Sequence, residues 1–381
     1  MPDNLPVVWP ADPHTFAKHA ILERYLNAWF PILARREHRS GGPSQQVLFI
    51  DGFAGPGVYE GGQAGSPVIA LRAAIEHKAQ FPVPIRFLFI EKDEDRLAVL
   101  KERLRGYEGQ VRESKSLILD PPCHGECDSV LTEMLNKLER QHQRFGPALA
   151  FLDQFGYSAV SMELIRRILA YPHCEVFAYL DYKDMNRWIV DPNKSAGFTR
   201  TFGGDEWKRA ISLPESERRV CLLDEYKRAL RGRGGARYVC SFAMFDSSDS
   251  PLYWLLFCTN HWRGLEEMKR AMWTVDKTGG FKFSDKDCPA QLQLLEKTFN
   301  QEWLAEELRS RLAGRAMTVA DVCKFVLTET PCYQFKAALA TLETAREPGM
   351  RVVRAPPDRK RGKFPNRYWK QIWVEFPRTL F

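Results

Sequence analysis

Three acidic residues in the first half of the sequence each directly follow a short apolar run. Asp51 follows Val47–Ile50, and Glu91 follows Ile85–Ile90 about 40 residues later. Asp153 follows the apolar run Ala148–Leu152, the fourth of the predicted strands. Such runs predict buried strands. In doubly wound α/β proteins, ligands bind beyond the carboxyl ends of the strands, so we expect the three carboxylates at one edge of a sheet.

The segment after Asp51 is rich in glycine, and we call residues 52–65 the glycine loop. After it, Ser66 and Pro67 are predicted as the N-cap and first residue of a helix. Glycine lets the backbone approach a ligand closely. The loop lacks both the GxGxxG spacing and the Lys-Ser/Thr of a phosphate P-loop. The pattern therefore favours a cofactor without a pyrophosphate, S-adenosylmethionine (SAM); a glycine turn of structural use only is the alternative.

A carboxylate at the position of Glu91 can accept hydrogen bonds from both ribose hydroxyls. At the turn after the third strand, either Glu126 or Asp128 is expected to face the adenine amino group. The predicted cofactor-binding residues are Asp51, Phe53, Ala54, Gly55, Gly57, Glu91, Glu126 and Asp128.

The segment after the fourth strand, Asp153-Gln154-Phe155-Gly156-Tyr157, is predicted to carry the chemistry. Methyl transfer from a sulfonium is an in-line displacement that depends on positioning and electrostatics. Asp153 is the expected acceptor for a nucleophile's N–H, and Phe155 or Tyr157 is expected to stack on a planar substrate. Amino methyltransferases use Asp-Pro-Pro-Tyr here, so Gln154 and Phe155 in place of the prolines predict a less rigid loop and a different substrate.

The segment 120–130 contains two incomplete motifs. Asp120-Pro121-Pro122 resembles the amino methyltransferase motif but comes one strand early. Cys123 and Cys127 resemble the start of a radical-SAM cluster motif, but Val130 stands where the third cysteine is required. A structural zinc site would need four ligands, and no second pair is suitably spaced. We therefore predict no metal site.

Composition indicates an ordinary globular protein with one large and one smaller domain. The chain has 381 residues, 44% of them apolar and 27% charged. No apolar run approaches the roughly 18 residues of a membrane helix, and the first residues lack a secretory pattern. Nine scattered cysteines favour reduced thiols. We therefore predict a cytoplasmic chain with no membrane association.

The elements expected to position these residues alternate between strand and helix. An amphipathic helix at about 14–36, within an N-terminal segment 1–40, is expected to pack on the core. Residues 41–299 are expected to form an α/β doubly wound, Rossmann-like domain of the class I methyltransferase type, closed by a hairpin. A partly helical insertion at about 184–237 is expected to cover the site rim.

Residues 300–381 are predicted to form a separate basic module. Nine Lys/Arg against two Asp/Glu between Met350 and Phe381 equal the whole net charge of +7. Three helical segments and two strand-like runs around the basic loop 356–367 predict a winged-helix-like α+β domain. Basic and aromatic residues together suit nucleic acid; the alternative is a helical domain whose tail packs on the first domain. The predicted contacts are Arg359, Lys360, Arg361, Lys363, Arg367 and Trp369.

As a set, the motifs resemble the three-Cys-motif partner protein (TcmP) family over roughly residues 14–275. The matching segments are Asp51-Gly-Phe-Ala-Gly-Pro-Gly-x-Tyr, Gly65-Ser-Pro, Phe89-Ile-Glu-Lys-Asp93, Phe151-Leu-Asp-Gln-Phe-Gly-Tyr157, and Tyr253-Trp-Leu-Leu-Phe to Met268-Lys. The resemblance implies a SAM-methyltransferase-like fold and a separate partner that carries three cysteines and is similar to radical-SAM proteins. It implies no particular reaction, because the family's substrate is not established.

Three functional hypotheses follow. The first is a SAM-dependent methyltransferase acting on an amino nitrogen, such as that of a nucleic acid, together with the radical-SAM-like partner. The second is a non-catalytic adaptor of that partner. The third is a nucleic-acid-binding regulator that uses the C-terminal module.

Overall fold

The computed structural model describes residues 6–41, 45–143, 145–248, 250–276, 281–284, 300–347 and 349–377. The chain divides into two compact units. Unit 1 comprises Met1–Val275 and Lys282–Cys288, and unit 2 comprises Asp276–Phe281 and Pro289–Phe381. The domain boundary predicted after residue 299 falls at the end of the segment 285–299, which lies outside the described residues.

Unit 1 alternates helices and strands. Its helices are α1 Pro13–Ser40, α2 Ser66–Ile75, α3 Glu94–Glu113, α4 Cys127–Arg140, α5 Met162–Leu169, α6 Tyr182–Trp188, α7 Ser195–Phe202, α8 Glu215–Gly232 and α9 Trp262–Val275. Its strands are β1 Val47–Asp51, β2 Ile85–Glu91, β3 Leu117–Leu119, β4 Cys123–His124, β5 Ala148–Leu152, β6 Glu175–Asp181, β7 Tyr238–Phe245, β8 Pro251–Thr259 and β9 Lys282–Ser284.

The strands form one sheet of order β3-β2-β1-β5-β6-β8-β7-β9, with β4 beside β2. Strands β1, β2, β3, β5 and β6 pair in parallel, whereas β8 runs antiparallel to β6 and to β7. The fold is therefore mixed α/β with a largely parallel, Rossmann-like sheet, as predicted. The strand order reverses between β1 and β5, and a crevice for ligands is expected beyond the carboxyl ends of these two strands.

The central strands are apolar because helices cover both faces of the sheet. All five residues of β1 and all five of β5 are buried. Helix α1 packs against α2 and α9, and its apolar stripe includes Ile21, Leu22 and Phe30, all fully buried. Within the described ranges, no helix combines the length and the apolar character needed to cross a bilayer.

Unit 2 contains α10 Gln301–Arg311, β10 Ala316–Thr318, α11 Val319–Glu329, α12 Phe335–Thr344, β11 Arg351–Arg354 and β12 Trp373–Glu375. Its three strands form an antiparallel sheet of order β10-β12-β11. The sequence analysis missed β10, because three residues before a helix show no alternation. Thr318 ends β10 and forms a capping box with Asp321 at the start of α11.

Candidate functional site

Two cavities open beyond the carboxyl ends of the parallel strands. Cavity A, of about 480 Å³, is lined by Glu91 at the end of β2, by the start of α4 and by residues of α6 and α7. Cavity B, of about 240 Å³, is lined by the glycine loop, the start of α1 and Asp153 after β5. Phe53 and Phe155 line both cavities, so the two share a wall.

Glu91 connects the glycine loop to the end of β2. Its Oε2 accepts the backbone N–H of Gly55 at 2.7 Å, and its Oε1 accepts the N–H of Asp93 at 2.9 Å. A carboxylate has about four acceptor positions, so two remain for a ligand. Because Glu91 lines cavity A, this capacity lies where the sequence analysis expected the ribose hydroxyls.

The glycines of the loop meet different requirements. A Cβ on Gly52 would lie 2.4 Å from the sulfur of Cys127, and Gly57 has a φ of +70°, so packing and backbone conformation explain both. Gly55 has a φ of +59°, but a Cβ there would meet no atom closer than the Trp9 ring at 3.5 Å. Its N–H bonds Glu91, and it lines cavity B. Gly55 is therefore the glycine best placed to contact a ligand.

Asp51 lies beneath the glycine loop and is completely buried. Burial raises the pKa of its carboxyl to about 7, although the Ser66 hydroxyl and the Phe53 N–H act in the opposite direction. Its Oδ2 has no hydrogen-bond partner among the described residues. Asp51 is not among the residues that line cavities A and B, and its predicted part in cofactor binding stays a prediction. The predicted N-cap role of Ser66 is wrong, because the cap is Gly65 and Ser66 begins α2.

Asp153 is paired with a lysine that the sequence analysis did not identify. The ammonium of Lys18, on α1, forms an ion pair with Oδ2 of Asp153, and Lys18 is buried. One oxygen of Asp153 is thus paired with Lys18, and the predicted role of Asp153 as acceptor for a nucleophile's N–H stays a prediction. The signal in the sequence is that Lys18 precedes Ile21 and Leu22 by three and four residues, which places a charge on the buried stripe of a helix.

Gln154 holds the loop that the sequence analysis expected to be less rigid. Its amide donates to the carbonyl of Tyr179 at 3.1 Å, and its Oε1 accepts the N–H of Val160 at 3.0 Å. A longer bond of 3.4 Å reaches the carbonyl of Tyr157. The side chain is buried. These bonds restrain the loop in place of the prolines, which corrects that expectation.

The two aromatic candidates of this loop differ in position. Phe155 is 47% exposed on the wall between the cavities, with its ring 5.7 Å from that of Trp9. Tyr157 is buried, and its ring packs on Phe198 at 4.4 Å. Burial also raises the pKa of Tyr157 to about 12. Phe155 is the more exposed of the two, but Tyr157 also lines cavity A, so the expectation that Phe155 or Tyr157 stacks on a planar substrate stays a prediction.

The two acidic candidates at the start of α4 also separate. Oδ2 of Asp128 accepts the Ser161 N–H at 2.7 Å, and its Oδ1 lies 3.0 Å from the guanidinium of Arg200. Asp128 thus connects α4 to α5 and α7, which corrects its assignment to adenine. Glu126 is exposed and lines cavity A. The remaining candidate, Ala54, is buried at the wall of cavity B.

Several aromatic residues of cavity B were not predicted. Tyr59, Tyr179 and Tyr253 line it, as does Trp9 from the segment before α1. The Trp9 carbonyl accepts the Glu60 N–H at 3.0 Å, and the Arg96 guanidinium lies 5.0 Å from its ring centroid. No periodic pattern surrounds Trp9 in the sequence, so only its tertiary contacts reveal it.

The basic loop of unit 2 is only partly available for contacts. Arg359 forms an ion pair with Glu343 of α12, and both side chains are largely buried. Trp369 is buried, with its indole N–H donated to the Phe364 carbonyl at 2.9 Å. These two placements correct the predicted nucleic-acid contacts. The members that remain exposed are Lys360, Arg361, Lys363 and Arg367, of which Arg361 also donates to the Glu343 carbonyl and Arg367 pairs with Asp358.

Comparisons with known proteins add little to this description. No protein-family model matches the sequence, and no curated protein matches it. Among solved structures, the chain is similar to the crystal structure of a DUF574 family protein from Streptomyces avermitilis. The two share 11% identity with a TM-score of 0.29, and the match covers 62% of this chain and 83% of that one. At so low a TM-score the likeness supports no conclusion about the site, and the TcmP resemblance remains a prediction.

Proposed function

We propose that this chain is a SAM-dependent methyltransferase that acts on an amino nitrogen. The main support is the Gly55 N–H bonded to Glu91 at 2.7 Å, beside a cavity of about 480 Å³ at the reversal of strand order. The adenosine part of SAM would occupy cavity A, with its ribose hydroxyls at Glu91 and its adenine amino group at Glu126. The methionine part would extend along Gly55 towards cavity B.

The residues of cavity B suit a planar, electron-rich acceptor. Bound SAM would supply an electrophilic methyl group on a sulfonium. Lys18 holds Asp153 in position, and the remaining carboxylate oxygen accepts the N–H of an acceptor amine. Phe155 provides an exposed ring against which the acceptor stacks. Exclusion of water by the aromatic walls strengthens the interaction of Asp153 with that amine.

The first test is calorimetric titration with SAM. We expect wild-type protein to bind SAM and Gly55→Val to bind it at least about tenfold more weakly, because a branched side chain is strained at a φ of +59° and obstructs the ligand. Gly106→Val is the matched control, since a Cβ at Gly106, on α3, meets no atom within 4 Å. Absence of SAM binding to the wild type would exclude the proposal.

A nucleic-acid acceptor is the substrate class that we propose, with unit 2 as a winged-helix-like module that holds it. The supporting observation is the arrangement of three helices with an antiparallel sheet of order β10-β12-β11. The exposed basic residues of the loop 356–367 would contact the phosphate backbone.

The Lys18–Asp153 ion pair favours a second candidate, a SAM-binding adaptor without catalysis, because it neutralises the expected catalytic carboxylate. The predicted partner in that case is the radical-SAM-like protein with three cysteines. The two candidates differ in the effect of Asp153→Asn. An enzyme would lose methyl transfer from labelled SAM to a pool of cellular nucleic acid while SAM affinity is retained. An adaptor would show no transfer in either protein and unchanged capture of the partner.

A further inference from the structure

A third cavity, cavity C, lies at the opposite end of the sheet from cavities A and B. It measures about 200 Å³. Strand β6 separates the two ends: Glu175 at its start lines cavity C, and Tyr179 near its end lines cavity B. Helix α1 contributes its second half to cavity C, including Trp29 and Ile32. Cavity C is therefore a separate site that the proposed methyl transfer does not use.

The floor of cavity C offers few hydrogen-bonding groups to a ligand. Glu175 is buried, and its two oxygens accept hydrogen bonds from the Tyr25 hydroxyl at 2.5 Å and the Thr259 hydroxyl at 2.6 Å. The thiol of Cys174, also on the lining, bonds to the Gly146 carbonyl. Because Tyr25, Glu175 and Thr259 satisfy one another, a polar ligand group buried beside them would lose its hydrogen bonds to water. The interior therefore favours an apolar body.

The charged residues that line cavity C, apart from the buried Glu175, are Arg36, Arg263 and Glu267. The imidazoles of His173 and His261 also line it. Arg263 pairs with Glu266 and Glu267, whereas Arg36 is exposed and forms no ion pair within the described ranges. Besides burial, the positive charge of Arg36 lowers the pKa of both imidazoles. The mouth therefore favours a negatively charged group.

Two further features support a ligand-binding site at the mouth of cavity C. His173 adopts a φ of +63°, a strained conformation for a residue with a Cβ, and such residues cluster at ligand sites. Nδ1 of His261 accepts the Arg263 N–H at 3.1 Å, so the proton of the neutral ring is on Nε2, where it can be donated to a ligand. An anion at the mouth would thus meet Arg36 and an imidazole N–H.

We propose that cavity C binds a small organic anion with an apolar body, of the aryl-carboxylate class. The apolar body would occupy the space above Tyr25 and Glu175, and the carboxylate would lie at the mouth beside Arg36. The size agrees, since a dry cavity of about 150 Å³ holds benzene and cavity C holds about 200 Å³. A six-membered ring with a short side chain therefore fits. This proposal does not depend on the proposed methyl transfer.

The experiment compares two probes of the same shape and opposite charge, phenylacetate and phenethylamine, by calorimetry on the full chain. We expect phenylacetate to bind and phenethylamine to bind at least about tenfold more weakly. Arg36→Glu should weaken phenylacetate binding by about tenfold or more. Arg35→Glu, an equal charge change at the neighbouring exposed residue of α1, is the control and should bind as wild type does.

A second variant tests the location independently of charge. Ile32→Trp should fill cavity C and abolish phenylacetate binding, while an unchanged circular dichroism spectrum and an unchanged urea midpoint show that the fold remains intact. Failure of phenylacetate to bind, equal binding of phenethylamine, or equal effects of the Arg35 and Arg36 substitutions would each overturn the proposal.

Discussion

At the scale of single residues, the charges of buried side chains determine which chemistry the candidate site can support. Lys18 and Asp153 come from segments 135 residues apart and neutralise each other at the wall of cavity B. Removing one partner of such a pair leaves the other buried and uncompensated. For Asp51, burial is the largest cause of the raised pKa of its carboxyl.

The raised pKa of Asp51 predicts that the free energy of unfolding depends on pH in a specific way. Its folded pKa of about 7 lies above the ordinary value of 3.8. Between about pH 4 and 7 the folded chain therefore retains a proton that the unfolded chain has released. The stabilisation is fully present below that window and is lost as the pH rises to 7. We expect Asp51→Asn to flatten this fall by up to about 1.4 kcal/mol per pH unit, measured by urea unfolding at several pH values.

The control for this prediction is Asp224→Asn, at an exposed position of α8. Glu175 and Asp181 also have pKa values raised by burial, to about 7 and about 6, and they titrate in all three proteins. The difference between Asp51→Asn and wild type therefore isolates Asp51. Parallel stability curves for the two proteins would contradict the raised pKa.

At the scale of elements, side-chain bonds determine the shape of the loop after β5. Gln154 connects that loop to β6 through the Tyr179 carbonyl and closes it through the Val160 N–H. Asp128 contributes from α4, because its carboxylate accepts the Ser161 N–H at the start of α5. Phe155 is thereby presented on the wall between the cavities.

Gln154→Ala should loosen this loop and destabilise unit 1. The substitution leaves a buried N–H and a buried carbonyl without their side-chain partner, which costs about 1–3 kcal/mol. We expect faster hydrogen exchange in residues 155–160 together with a lower urea midpoint. Gln110→Ala, at an exposed position of α3, should change neither. Unaltered exchange in 155–160 would show that the amide does not restrain the loop.

At the scale of the whole molecule, the two units differ in charge distribution. The last 32 residues carry an excess equal to the entire net charge of +7, and they belong to unit 2. Part of that charge is taken up internally, because Arg359 is paired with Glu343 and Arg367 with Asp358. Lys360 and Lys363 are exposed and are the better test of nucleic-acid contact.

Reversal of both charges, Lys360→Glu with Lys363→Glu, should weaken binding of a labelled single-stranded oligonucleotide. If both lysines contact phosphates of the single strand, the slope of log affinity against log salt should fall by about 1.4. The matched control reverses two exposed lysines of unit 1, Lys101→Glu with Lys115→Glu, and should retain wild-type affinity. Fluorescence anisotropy over a range of salt measures both. Equal losses in the two variants would indicate nonspecific attraction rather than an interface.

The sequence alone determined the longer strands and helices of unit 1 and their order, because apolar runs and glycine positions are local signals. The predicted closing hairpin is present as β7 and β8. The glycine loop and Glu91 were predicted from the same kind of local signal, because each lies at the end of an apolar run.

Only the tertiary structure decided which side chains meet. Lys18 reaches Asp153, Trp9 reaches the glycine loop, and Glu343 takes up Arg359 across distances in sequence that no local pattern spans. Cavity C arises in the same way, from α1, β6 and the turn after β8. A carboxylate, an arginine or a tryptophan has the same appearance in a sequence whether it is exposed or buried against a partner. The fold brings distant segments into contact and thereby determines which of these side chains are buried.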